Sequence, residues 1–345
     1  MINKKSESRF TTTLLLFFSS LLLLNTSCQK EEVKIEPFAL AYPSYFPEPV
    51  YKSADNQLTM ERFVLGKKLF FDRRLSSDGT ISCASCHAQT HAFADHNVSF
   101  SAGVNGALGI RNSPTIVNML WSKSFMWDGG VNHLEVFSVA PITHPDEMNE
   151  TMANVVAKLN QDEEYQSLVK KAYGHSTVTD QAILKALTAY MVSIVSVNSK
   201  YDQVRQGKSS YSAEEKKGYE LFKKHCASCH SEPLFTNGTF QNNGLDSVFT
   251  DLGRGKITLL SEDVGKFKVP TLRNSELTYP YMHDGRFWTL DQVLDHYSHG
   301  IQHSETLSPL VNQNLSLTGI EKKQLKAFLF TLTDYNLLNN PLFFE

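Results

Sequence analysis

The chain has 345 residues, with 33 Lys and Arg against 36 Asp and Glu for a formal net charge of -3, and it is 41% hydrophobic and 20% charged. That length suits two domains of about 150 residues each, and the composition excludes a disordered, collagen-like or low-complexity chain. Without a dominant basic stripe, nucleic-acid binding has no electrostatic support.

At the N-terminus, Lys4, Lys5 and Arg9 precede an apolar run from Leu14 to Leu24, broken only by Ser19 and Ser20. This reads as a signal-peptide core, and it is shorter than the roughly 20 apolar residues of a membrane span. Thr26 and Ser27 lead into Cys28 in the manner of a bacterial lipobox, although Asn25 fits the usual aliphatic position poorly. Lipidation of Cys28 would anchor the protein without spanning the membrane; the bland alternative is a stray cysteine in a differently cleaved leader. Gln29–Glu32 looks like a short surface-export tag. The expected location is the periplasmic side of the envelope, lipid-anchored, with cell-surface exposure as an alternative.

Residues 1–27 are therefore expected as signal peptide and 28–57, with Pro37, Pro43, Pro47 and Pro49, as a tether ending in a wrap around the first domain. A helix is expected over Glu61–Phe71, mostly loop over 74–150, and two helical stripes between Met152 and Val197. The polar stretch Tyr201–Ser212 reads as the boundary between domains 58–203 and 204–345. Ser212 with Glu215 is a capping-box start, and Thr289–Tyr297 and Thr318–Thr331 close the chain as helices. G-K-K-L-F-F-D at 66–72 and K-G-Y-E-L-F at 217–222 each precede a cysteine pair, which points to a degenerate tandem duplication.

Those pairs are Cys83-Ala84-Ser85-Cys86-His87 and Cys226-Ala227-Ser228-Cys229-His230. In an exported protein this spacing is a c-type haem attachment, in which two thiols bond the haem and the adjoining His ligates its iron. A zinc site, a disulfide and a thioredoxin-like pair compete, but zinc gives no reason for a His after both pairs and the redox motif lacks a β-α-β setting.

Further ordered motifs are R-N-S-P-T at 111–115, M-W-D-G-G at 126–130, A-P-I-T-H-P-D-E-M at 140–148, V-P-T-L-R-N at 269–274 and Y-M-H-D-G-R-F-W-T-L at 281–290. With them the chain resembles the bacterial dihaem cytochrome c peroxidase and MauG-type family from about Leu58 to the C-terminal helix. The resemblance implies a mainly α fold of two cytochrome c-like domains, each carrying one covalent haem c, the first peroxidatic and the second for electron transfer. It implies Glu147 as the acid/base that moves a proton between the peroxide oxygens, Pro141 as the distal-pocket proline and Trp127 as the relay between the haems. For Glu147 the alternative is a solvated acid capping a helix from Met148 to Leu159; for Trp127 it is an ordinary core residue.

His87 and His230 are expected as iron ligands, and His283 at the propionate region of the second haem. The sixth ligand of the second haem falls on Tyr297, with Met282 as an alternative expected to compete for a different place beside His283. The resemblance also implies one calcium ion held by Asn112 and the backbone carbonyls of Thr278 and Pro280.

Two departures stand out. Val104 occupies the position where peroxidases that need reductive activation carry a ligating His, and Phe137 stands where many relatives have Gln. His91 and His96 could substitute as ligands, against a surface or propionate-contacting role. The expected function is reduction of hydrogen peroxide with electrons from a small cytochrome c, with a homodimer as one option for its assembly. The alternatives are a MauG-type oxidase of a partner protein and a non-enzymatic dihaem electron carrier.

Overall fold

The computed structural model describes residues 38–52, 55–311 and 313–345, so the signal peptide, Cys28 and the start of the tether lie outside the described residues. The first half comprises α1 (Met60–Phe71), α2 (Cys83–Cys86), α3 (Val139–Thr143), α4 (Met152–Leu159), α5 (Glu163–Tyr173) and α6 (Asp180–Ser193). The second comprises α7 (Lys200–Arg205), α8 (Ala213–His225), α9 (Gly255–Thr258), α10 (Leu290–Asp295), α11 (Gly319–Phe330) and α12 (Tyr335–Leu338). The strands β1 (Phe240–Gln241) and β2 (Phe267–Lys268) pair antiparallel, Phe240 opposite Lys268. Among the described residues no helix is long and apolar enough to cross a membrane.

Each half is built on one close helix crossing. On α1, a Cβ at Gly66 would lie 1.9 Å from the Ala186 carbonyl oxygen of α6; on α8, a Cβ at Gly218 would lie 1.9 Å from the Gln324 carbonyl oxygen of α11. Only glycine lets these backbones approach so closely. Around the first crossing Phe63, Phe70, Leu187 and Tyr190 form one core, with the Phe70 and Tyr190 rings 4.8 Å apart. Around the second, Phe222, Phe235, Leu325 and Phe328 form another, with the Phe222 and Phe328 rings 5.0 Å apart. α8 starts as its sequence predicts, at an N-cap Ser212 in a capping box with Glu215.

The duplication extends well past the helices. Residues 110–134 and 266–290 align without a gap, setting Asn112 against Lys268 and Trp127 against His283. Asn118 and Asn274 are both left-handed (φ 62° and 61°), and their side-chain oxygens accept the N–H of Ser196 and Asp334, each at 2.8 Å. Met126 and Met282 are also left-handed (φ 66° and 73°), in turns bracketed by the bridges Phe125–Val131 and Tyr281–Phe287. Such backbone costs on the order of 1–3 kcal/mol in a non-glycine residue. Here it turns Trp127 and His283 toward the join between the halves. That join is reciprocal: Asn112 N–H donates to the His283 carbonyl and Lys268 N–H to the Trp127 carbonyl, both at 2.7 Å.

Three features depart from the sequence reading. α5 falls where no helix was expected, its buried stripe Tyr165, Val169 and Ala172 being thin against a mostly charged helix. Tyr201, read as part of a polar linker, is fully buried in the second core, because Asp202 beside it makes a fully buried bidentate pair with Arg273, both contacts at 2.8 Å. Beyond α11 the chain returns to the first half: Leu337 and Phe343 join its core, and Tyr190 Oη donates to the Phe343 carbonyl at 3.2 Å.

Removing one partner of a buried pair strands the other charge. Asp202→Ala should therefore cost about 3–5 kcal/mol, read as a lower urea midpoint at unchanged slope; an unchanged midpoint would show that Arg273 finds solvent.

Candidate active site

One cavity of about 1030 Å³ opens between the halves, and the residues expected to attach haem, ligate iron, move protons or electrons and hold calcium line it. Cys83, Cys86, His87, Trp127, Pro141 and Glu147 come from the first half, and Cys226, Cys229, His230, Met282, His283 and Tyr297 from the second. Asn112, Thr278 and Pro280 line the cavity as well.

The chemistry of the two C-x-x-C-H segments fits haem. All four cysteines are free, which removes the disulfide reading. Burial holds them as thiols, pushing Cys83 and Cys226 up to about 12 and Cys86 to about 11. Zinc is also disfavoured, since among the described residues no group of three or more His, Cys, Asp or Glu could hold a metal ion. His87 Nδ1 lies 2.9 Å from the Phe93 carbonyl, and His230 Nδ1 lies 3.2 Å from the Phe235 carbonyl and 3.1 Å from that of Pro270. A carbonyl only accepts, so Nδ1 carries the proton and Nε2 keeps the free lone pair an iron needs. Phe93 and Phe235 reach these positions through left-handed backbone (φ 57° and 54°). Burial lowers the pKa of both histidines and favours the neutral, ligating form.

Glu147 sits on the first half's side of the cavity. Its side chain is half exposed and lines the cavity, and burial raises its carboxyl pKa above the ordinary 4.5. His144, 4.0 Å away, pulls the other way. The helix-capping alternative fails, because α4 begins at Met152 with Thr151 as its N-cap. What holds Glu147 is the loop before it: Val104 N–H donates to the Glu147 carbonyl at 2.8 Å. A Cβ at Gly103 would lie 2.1 Å from the Asp146 carbonyl oxygen, so glycine is required for that contact. Val104 is buried and does not line the cavity. His91 and His96 stack on each other, ring centroids 3.9 Å apart, and are likewise absent from the cavity wall.

Phe137 lines the cavity against Phe125 with no hydrogen-bond donor to offer. Trp127 is fixed at both ends, its Nε1–H on the Asn112 carbonyl at 2.8 Å and its own carbonyl on Lys268. In the second half, His283 stacks on Phe267 with ring centroids 3.7 Å apart. Burial pushes the Tyr297 phenol up to about 12. The sequence sets Met282 apart from Tyr297; the structure brings them together, since Asn243 Nδ2 lies 3.4 Å from Tyr297 Oη and 3.5 Å from Met282 Sδ. Asn243, in an unremarkable N-N-G run, carries no sequence signal for this role, whereas the Gly103 contact could have been sought from the adjoining Val104.

A family model described as di-haem cytochrome c peroxidase matches residues 60–210. The methylamine utilization protein MauG of Methylorubrum extorquens is 37% identical, over 83% of this chain and 82% of its own. Cytochrome c551 peroxidase of Nitrosomonas europaea is 36% identical, over 78% of this chain and 79% of its own. Among solved structures, a MauG-like protein associated with microbial copper homeostasis superposes with a TM-score of 0.82 at 32% identity, covering 89% of this chain and 99% of that one.

The Gly103 contact is directly testable. Gly103→Ala should leave the haem content unchanged while pushing the Glu147 turn aside, and a displacement of about 1 Å would slow reaction with peroxide by about 100-fold. An unaltered rate would show that Glu147 is not held by this loop.

Proposed function

Because the chain belongs to the dihaem cytochrome c peroxidase and MauG family, we propose that it is an exported c-type peroxidase that reduces hydrogen peroxide to water with electrons from a small cytochrome c. The observation that carries this reading is Glu147, a carboxyl of raised pKa at the cavity beside the first C-x-x-C-H, where Val104 offers no competing ligand. Haem c, when bound, supplies the iron at which peroxide is reduced and the store of electrons.

The residues of the chain do the rest. Glu147, ionised, takes a proton from one peroxide oxygen and returns it to the other as the O–O bond breaks. Two electrons and two protons convert one peroxide to two waters. Pro141 and Phe137 line the cavity without a side-chain hydrogen-bond donor, and in this reading Glu147 carries the proton. Trp127, held by the Asn112 carbonyl, stands as the relay for electrons from the second half. Asn112, Thr278 and Pro280 offer amide and carbonyl oxygens to a calcium ion, the ligand class a hard cation takes. The domains 58–203 and 204–345, the lipid anchor at Cys28 and the periplasmic location complete this reading.

A second reading is a MauG-type oxidase of a partner protein's side chains, and Tyr297 favours it. A tyrosinate at the second haem would lower its potential and favour holding oxidising equivalents, whereas Met282 would raise it and favour accepting electrons.

Low-temperature EPR of the ferric, calcium-loaded protein tests the open first site. One high-spin and one low-spin haem are expected. Two low-spin signals, with the first persisting after one-electron reduction of the second haem, would leave only an electron carrier.

Glu147→Gln should lower kcat/KM for peroxide by about 10²–10⁴-fold. In the unsubstituted protein the rate should rise with pH through a value above 4.5, as the carboxyl of raised pKa ionises; the variant should lack that limb. Tyr297→Met should raise the second haem's potential, measured by spectroelectrochemistry, and an unmoved potential would remove Tyr297 as ligand.

A further inference from the structure

Asn112 and Lys268 hold equivalent places in the two halves, and each gives its backbone N–H to the other half. Lys268 Nζ donates to the Ser124 carbonyl at 2.9 Å. In the gapless alignment of 110–134 with 266–290, the counterparts of Ser122 and Ser124 are Thr278 and Pro280. The ammonium of Lys268 therefore stands on the first-half loop position whose counterpart in the second half is Pro280, one of the oxygen donors read with Asn112 as a cation site.

The surroundings support a matched pair. Lys268 lines the cavity and, among the described residues, has no carboxylate within ion-pair reach. Burial lowers its pKa to about 8, so near pH 7 it remains mostly charged. Asn112 turns its Nδ2 toward the carbonyls of Val98 and Ser99, at 3.4 and 3.1 Å, which directs Oδ1 away from them. The Thr278 and Pro280 carbonyls accept no hydrogen bond from the described residues. Both loops lead directly into left-handed methionines, Met126 and Met282, whose turns present Trp127 and His283.

We propose that each half requires one positive charge on this carbonyl loop, supplied covalently by the Lys268 ammonium in the first half and by a diffusible divalent cation in the second. An ammonium is a compact point charge with three donors, whereas a hard cation gathers several oxygens; each turns loop carbonyls inward and holds the turn that follows. Lys268 is thus a positioning residue for Trp127, as the cation is for His283. The proposal rests on the reading of Asn112, Thr278 and Pro280 as a cation site.

The test counts calcium bound by the haem-loaded full chain after chelation and exchange, by calorimetry, and follows thermal unfolding with and without chelator. The unsubstituted protein should take up one ion per chain and melt lower in chelator. Asn112→Lys should take up none and melt at the same temperature in either condition, because its ammonium replaces the ion. Lys268→Asn should take up a second ion; if it does not fold, Asn112→Lys still decides. Should the unsubstituted protein bind one ion while Asn112→Lys melts like the chelated protein, Lys268 is no counterpart of the cation and the proposal falls, with the cation site intact. No uptake by the unsubstituted protein would instead overturn the cation site itself.

Discussion

Two backbone hydrogen bonds decide how the halves meet: Asn112 N–H to the His283 carbonyl and Lys268 N–H to the Trp127 carbonyl. They are the same bond made twice, because the segments that donate and accept are copies of one another. Each segment also builds its own half. Ile116 N–H and Leu272 N–H donate to the Phe93 and Phe235 carbonyls, the same atoms that orient His87 and His230. A shift of either segment would thus move a haem-ligand candidate and the residue facing the other half together. This is how a duplicated fold can keep two redox centres in register without a rigid linker.

The cavity penalises charge of either sign. Glu147 and Tyr297 are shifted up, and Lys268, His87 and His230 down, so each is biased toward its neutral form, with burial the first cause throughout. On its wall Arg111 grips Asp251 at 2.7 and 2.9 Å and also reaches Asp128, whereas Lys268 meets a carbonyl in place of a carboxylate. A wall of this kind suits a flat macrocycle with a metal ion at its centre.

Much of this was legible in the amino-acid order. The two C-x-x-C-H segments that line one cavity, a helix over most of Glu61–Phe71, the helix start at Ser212 and the restart of the pattern after residue 200 follow from spacing, periodicity and capping chemistry. Burial of Tyr201 was not legible, because it depends on Arg273, seventy-odd positions away in sequence, neutralising Asp202. Nor was the meeting of Met282 and Tyr297, which depends on Asn243 from a third segment. Lys268 could have been found: setting the R-N-S-P-T segment against K-V-P-T-L places it opposite Asn112. Local chemistry shows in a sequence; long-range pairing of polar groups does not.

The return of residues 337–343 into the first core has a consequence for biogenesis. Gln89, two residues past His87, donates its side-chain amide to the carbonyls of Leu337 and Asn340, both at 2.9 Å. The first cysteine pair leaves the ribosome long before those carbonyls exist. Its surroundings stay unfinished until the whole second half has followed, whereas the second pair has its core partners in α8 and α11 within one continuous stretch. Attachment machinery acting in chain order would therefore meet its first substrate as an open segment, and closure of the first haem pocket would be the last event in maturation.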